Sequence, residues 1–266
     1  MLFRTLLVGS SVMGIALTAV LPVEAGQPKV VEVPNGPAFV QLPSKPEIEA
    51  RSGQPLEQDS LLRTSKPGRM QVLLGDGRQF RMGGNALLRL KPTRVQLIKG
   101  SIIGWVKPGE KRGRPFVIRT RVATASIQGT TVFIELNDDE FKVFSWEGRV
   151  KVTTNEGDVF TLQSGQQLLL DLSKQLEIVK GRLDGLEAVL GESGGMFFPS
   201  DGYDDDMEDE DDEDDELDWQ PPSRISDQDV QKRLRTSPLL NGFSTPLETM
   251  PVIEKELGVS SPPALR

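Results

Sequence analysis

The side chains able to do chemistry in this sequence are almost all carboxylates and cations. Cysteine and histidine are both absent, which removes thiol nucleophiles, disulfides, Cys/His zinc sites and any imidazole base. The clustered acids in the middle of the chain are Glu135, Asp138, Asp139, Glu140 and Glu147. A glycosidase needs two carboxyls held at a fixed separation across a cleft. These acids fall mostly in turn-like positions, where such residues are common anyway, so no catalytic residue is assigned and no enzymatic activity is expected. Between positions 201 and 218, 14 of 18 residues are acidic. Such a run can offer oxygens to Ca²⁺ or Mg²⁺, Asp204, Asp205 and Asp206 being its best candidates, but it lacks the spacing and glycine of an EF-hand loop. A diffuse counterion cloud accounts for it, and neither a metal nor a cofactor is expected.

The cations are grouped. Lys107, Lys111, Arg112 and Arg114 share a loop with Pro108, Gly109 and Gly113, and Arg119 and Arg121 follow on the next strand. A loop this charged can contact an anionic polymer, lipid head groups or an acidic partner; the alternative is an ordinary soluble hairpin tip. No recognition helix or aromatic stacking platform accompanies it, so nucleic acid is not an expected partner. Trp146 and Arg149 flank Glu147-Gly148, read as a two-residue hairpin tip across which they would face each other, a geometry that permits a cation–π contact worth about 0.5–1 kcal/mol when exposed. These eight residues are the candidate partner-binding set. A buried Trp146 would instead be core, as is expected of Trp105 among Ile102, Ile103 and Val106.

Strands must position these groups. Runs rich in branched and aromatic residues extend over Phe116 to Ile127, Thr131 to Leu136, Phe141 to Ser145 and Arg149 to Thr153, punctuated by Gly129, Asn137 to Asp139 and Glu147-Gly148. Earlier strands are expected at Met70 to Leu74, Arg78 to Met82, Leu87 to Leu90, Val95 to Lys99 and Ile102 to Val106, later ones at Asp158 to Leu162 and Gln167 to Asp171. Glycine-bearing turns separate them. The fold class is therefore all-β: about a dozen short strands in an antiparallel, jelly-roll-like sandwich or a β-solenoid, with disordered flanks.

The order of motifs also resembles a family. Pro115-Phe116-x-Ile118-x-Thr120, Ala125-x3-Gly129-Thr130-x2-Phe133, Val143-x3-Glu147-Gly148 and Val150-x-Val152 are similar to the hallmarks of the FecR-type extracytoplasmic domain. Leu74-x-Asp76-Gly77, Leu97-x2-Gly100 and Leu162-x2-Gly165-Gln166 extend the likeness over most of the β-rich stretch. The resemblance implies a non-enzymatic domain that contacts protein. The family's best-known members are membrane regulators that hold a sigma factor with a cytoplasmic N-terminal domain and sense a TonB-dependent receptor outside.

The rest of the chain is sorted by composition. Residues 1–25 read as a signal peptide, with Arg4 ahead of an apolar run from Leu6 to Leu21 and Val23-Glu24-Ala25 as a cleavage site. The run is shorter than the about 20 residues a spanning helix needs, so no membrane span is expected after cleavage. Residues 26–60, with prolines at 28, 34, 37, 43, 46 and 55, read as a linker in which Val30 to Val33 and Ala38 to Val40 are candidate edge strands. Residues 61–172 form the β-domain. Residues 173–195 carry Leu183, Leu186 and Leu190 at helical spacing and read as a short helical closure. Residues 196–222 read as an acidic disordered linker, and 223–266 as a tail in which Ser226 and Asp229 suggest a helix through Leu234, with a further turn at Val252 to Leu257.

Charge divides along the same line. Residues 51–182 hold 22 Lys/Arg and 13 Asp/Glu, giving +9, whereas 183–266 hold 6 and 22, giving −16, within a net charge of −8. The expected function is an exported FecR-like binding or sensory module for another envelope protein. Only Met1 to Thr5 precede the apolar run, so the family's cytoplasmic sigma-binding domain is not expected. The alternative is a structural envelope scaffold whose acidic tail binds cations or keeps it soluble. The sequence leaves the oligomeric state open.

Overall fold

The computed structural model describes residues 26–107, 115–173 and 217–260. The signal-peptide stretch, Lys111, Arg112, Arg114, the expected helix around Leu186 and the acidic run through Glu216 lie outside the described residues.

The described chain begins with β1 (Lys29–Asn35), β2 (Ala38–Gln41), β3 (Glu47–Glu49) and β4 (Leu61–Thr64). It continues through β5 (Arg69–Leu73), β6 (Gln79–Met82), β7 (Leu87–Leu90) and β8 (Val95–Trp105). The motif-bearing stretch supplies β9 (Phe116–Arg119), β10 (Ala123–Ile127), β11 (Thr131–Leu136), β12 (Glu140–Glu147) and β13 (Val150–Thr154). β14 (Val159–Leu162), β15 (Gln166–Asp171) and β16 (Trp219–Arg224) follow, then α1 (Asp227–Thr236), α2 (Pro238–Asn241) and α3 (Met250–Leu257). The protein is mostly β, with an array of strands that does not close on itself.

β8 organises this array. The sequence suggests a turn at Lys99-Gly100, but the strand runs through. Gly100 adopts φ +88°, and a Cβ there would meet Ala86 Cα at 2.5 Å, so only glycine permits the bend. Before it, Val95 to Lys99 pair with β7 and, in parallel, with β9; after it, Gly100 to Trp105 pair with β6 and β11. One strand thereby serves two sheets. Sheet A runs β1-β5-β6-β8-β11-β12-β15-β16, and sheet B runs β3-β2-β4-β7-β8-β9-β10-β13-β14. Their inward residues, among them Val72, Phe80, Ile102 and Val143 from A and Leu62, Leu97, Ile118 and Val152 from B, form one buried cluster. The architecture is that of a β-sandwich.

Two sequence expectations change in detail. The run from Phe116 to Ile127 is two strands, because Thr120 Oγ1 accepts hydrogen bonds from the backbone N–H of Val122 (3.2 Å) and Ala123 (3.0 Å) and folds β9 back onto β10. The proline-rich stretch 26–60 contributes β1 to the edge of sheet A and β2 and β3 to the edge of sheet B, with Val30 and Val40 fully buried. Proline is tolerated at sheet edges, where a missing N–H breaks no ladder.

The larger difference is at the C-terminus. Residues 217–260, expected as the end of an acidic linker and a tail, form β16, which pairs with β15, and three helices laid on the outer face of sheet A. Ser226 caps α1 by accepting the Asp229 N–H at 3.1 Å, as its spacing with Asp229 suggests. Trp219 packs edge-on against Phe141 at 5.8 Å. This C-terminal arm buries Ile103, Trp105, Phe144 and Trp146 under Val230, Leu234, Leu239, Ile253 and Leu257, a second hydrophobic cluster separate from the first.

Gly129, between β10 and β11, has φ +65°, and a Cβ at this position would meet nothing within 4 Å, so backbone conformation alone demands glycine there. Gly129→Val is expected to cost about 1–3 kcal/mol. A thermal midpoint equal to that of the wild type would contradict this.

Candidate protein-binding surface

The described candidate residues do not form one patch. Lys107, just past β8, lies 3.6 Å from Glu248 of the arm. Arg119 is exposed at the far end of β9 from the loop, about 10 Å away at the usual rise per residue. Arg121 is at that far end too, donating from Nη2 to the Asn137 carbonyl at 2.9 Å. Of the described cations, Lys107 thus lies apart from Arg119 and Arg121.

Glu147-Gly148 is not a hairpin tip. β12 belongs to sheet A, between β11 and β15, whereas β13 belongs to sheet B, between β10 and β14. The pair is a corner by which the chain changes sheets. Trp146 is 2% exposed and packs edge-to-face on Phe144 at 4.9 Å, while Arg149 is exposed. Trp146 belongs to the core under the arm rather than to an open surface. Trp146→Ala is expected to cost about 3–5 kcal/mol, and Arg149→Ala less than about 0.5 kcal/mol, as read by denaturant unfolding; comparable losses would contradict the corner geometry.

The clustered acids separate as well. Glu140 pairs with Lys142 at 2.5 Å, and Asp138 and Asp139 are exposed in the β11–β12 turn. Glu147 alone is buried, 4% exposed, at the other end of β12. Burial above all pushes its carboxyl up to about 7, against the lowering effect of the hydrogen bond from Thr131 and with a contribution from the nearby charge of Glu256. The Thr131 hydroxyl lies 3.1 Å from Glu147 Oε1 and 2.6 Å from Thr249 Oγ1. Glu256 of α3 accepts from the Gly148 N–H at 2.7 Å and from the Ser164 hydroxyl. These contacts join the arm to the corner. They present no pair of carboxyls to an open cleft.

The arm is anchored chiefly by a residue that the sequence does not single out. Arg81 is fully buried. Its Nε donates to Gln71 Oε1 at 2.8 Å, Nη1 to the carbonyls of Leu239 (3.1 Å) and Leu240 (3.4 Å), and Nη2 to the carbonyl of Thr245 (2.5 Å). The guanidinium lies 4.3 Å from the centre of the Phe243 ring and 5.5 Å from that of Trp105. Burial lowers its pKa to about 10, Glu32 opposing, so it remains charged at neutral pH. In the sequence, Arg81 is merely the polar residue of an alternating strand, Gln79-Phe80-Arg81-Met82. Nothing local marks it as buried.

Beside this anchor the face is incompletely covered. A cleft of about 320 Å³ opens between the floor formed by Phe133, Phe144 and Trp146 and the wall formed by Arg233, Pro238 and Leu239. Arg233 lies 4.8 Å from the Phe144 ring centre and donates to Gln167 Oε1 at 2.8 Å. Among the described residues no group of His, Cys, Asp and Glu is arranged to hold a metal, and no helix is long and apolar enough to cross a membrane.

The fold and its surfaces can now be set beside known proteins. Residues 60–151, about a third of the chain, match the FecR protein family, and β14 to β16 and the arm lie beyond the match. No curated protein matches the chain. Two crystal structures of a candidate anti-sigma factor from Parabacteroides distasonis are similar to it, at 24% and 23% identity and TM-scores of 0.37 and 0.38. The likeness covers 42% of this chain and 55% of theirs, so the chain spans about half the length of those proteins.

Proposed function

We propose that this chain is an exported, non-enzymatic FecR-like regulatory or sensory module that works by binding another protein of the cell envelope. The observation that carries the reading is the FecR-type domain at residues 60–151. The exposed cations Arg119 and Arg149 suit a partner with acidic surface. The apolar run from Leu6 to Leu21 and Val23-Glu24-Ala25 supports export, with the mature chain starting at or near Gly26.

The test is a crosslinking pull-down of the natural protein from envelope extract, paired with N-terminal sequencing. The expected result is a discrete envelope protein captured by a chain that begins near Gly26. Recovery of Met1 or Leu2 at the terminus of a membrane-bound chain would overturn export, and no captured protein at all would overturn the binding role.

A further inference from the structure

The outer face of sheet A has the composition of a binding interface. Its fully covered centre consists of Trp105, Trp146, Phe144 and Arg81, and tryptophan and arginine are the residue types that dominate interface hot spots. The sandwich below has its own core, built from β1, β2 and β4 to β15, against which Leu217 and Trp219 of the arm also pack. The arm adds a second cluster on top rather than completing the first.

The arm also fits this face incompletely. Both buried indoles, Trp105 at 1% and Trp146 at 2% exposure, have an Nε1–H with no acceptor among the described residues. A buried donor left unmade is unfavourable, and the cleft of about 320 Å³ beside Trp146 is volume that the arm leaves open. Leu170 of β15 and Trp219 of β16 are paired neighbours, although 43 residues, 174–216, separate the two described segments in the sequence.

We propose that the outer face of sheet A is a docking groove for a strand-and-helix segment of a partner protein, which this chain keeps filled with its own residues 219–259. The partner segment adds a strand to the edge of β15, as β16 does, and lays an amphipathic helix across the aromatic floor. It differs from the arm in filling the cleft beside Trp146 and in bringing a carbonyl or carboxylate acceptor to that indole. This rests on the protein-binding function proposed above and names the surface and the build of its partner.

The experiment uses the full chain with a protease site inserted between residues 174 and 216, so that cutting leaves body and arm complete but held together without a covalent link. A fluorescent synthetic peptide of residues 217–260 is the probe. The peptide is expected to exchange into the groove while the far-ultraviolet strand signal of the body is unchanged. In the uncut chain, arm amides should exchange hydrogen at least about tenfold faster than those of β11 and β12. Arm release that coincides with loss of the strand signal, or equal protection of arm and sheet, would overturn the proposal. A second variant, Gln166→Cys with Arg224→Cys, locks the arm by a disulfide between residues that face each other across β15 and β16. Locking is expected to abolish peptide exchange and capture of the envelope partner. Capture that ignores the lock overturns the groove and leaves the binding function standing; exchange without any capture supports the groove and counts against an envelope partner.

Discussion

Arg81→Met should loosen the C-terminal arm and cost about 3–5 kcal/mol, the loss expected when one partner of a buried, charge-assisted network is removed. The guanidinium is the shared donor for the carbonyls of Leu239, Leu240 and Thr245. Methionine fills much of the volume but leaves all three carbonyls, and Gln71 Oε1, without it. The conservative Arg81→Lys should fail to restore stability, because one ammonium cannot reproduce a planar fork reaching Gln71 on one side and three carbonyls on the other. For a domain of this size a thermal midpoint about 10 °C lower is expected. Hydrogen exchange should show the damage concentrated in α1 to α3. A variant as stable as the wild type, or uniform loss of protection through sheet B, would show that the arm is held by something else.

Glu147→Gln should stabilise the protein at pH 8 and leave it unchanged near pH 4.5. The carboxyl is raised to about 7 in the folded chain, mainly by burial, with Glu256 of α3 the charged neighbour that adds to the rise. The folded state thus holds a proton that the unfolded chain releases near its ordinary value of about 4.5. The stability contributed by the protonated acid is full below about pH 4.5 and is lost as pH rises towards about 7, after which the penalty is constant. Its size is at most about 3 kcal/mol. Glutamine keeps the contact with Thr131 and removes the ionisation, so the variant should lose this part of the pH dependence. Denaturant midpoints at the two pH values decide it: an equal difference between variant and wild type at both would exclude Glu147 as the titrating group.

Periodicity alone located most strands, because inward and outward residues alternate through Met70 to Val72, Phe80 to Met82 and Val132 to Glu135, and glycines mark the places where the backbone must turn. The ordered motifs from Pro115 to Val152 likewise made the likeness to the FecR protein family legible. Composition had already removed cysteine and histidine chemistry. The Ser226 cap was readable because it is a local hydrogen bond between residues three apart. Tertiary structure decided what local pattern cannot carry. Gly100 looks like any turn glycine, and whether a strand ends there or bends into a second sheet depends on the backbone of Ala86 pressing against it. Glu147-Gly148 has the composition of a hairpin, but the strands it joins take their hydrogen bonds from different sheets. Arg81 has the pattern of a solvent-facing residue, and the arm that covers it arrives about 160 residues later in the chain. Burial on the second face of a sheet is set by a distant segment, so the outward residues of β5, β6, β8, β11 and β12 could not be distinguished from ordinary surface until that segment was in place.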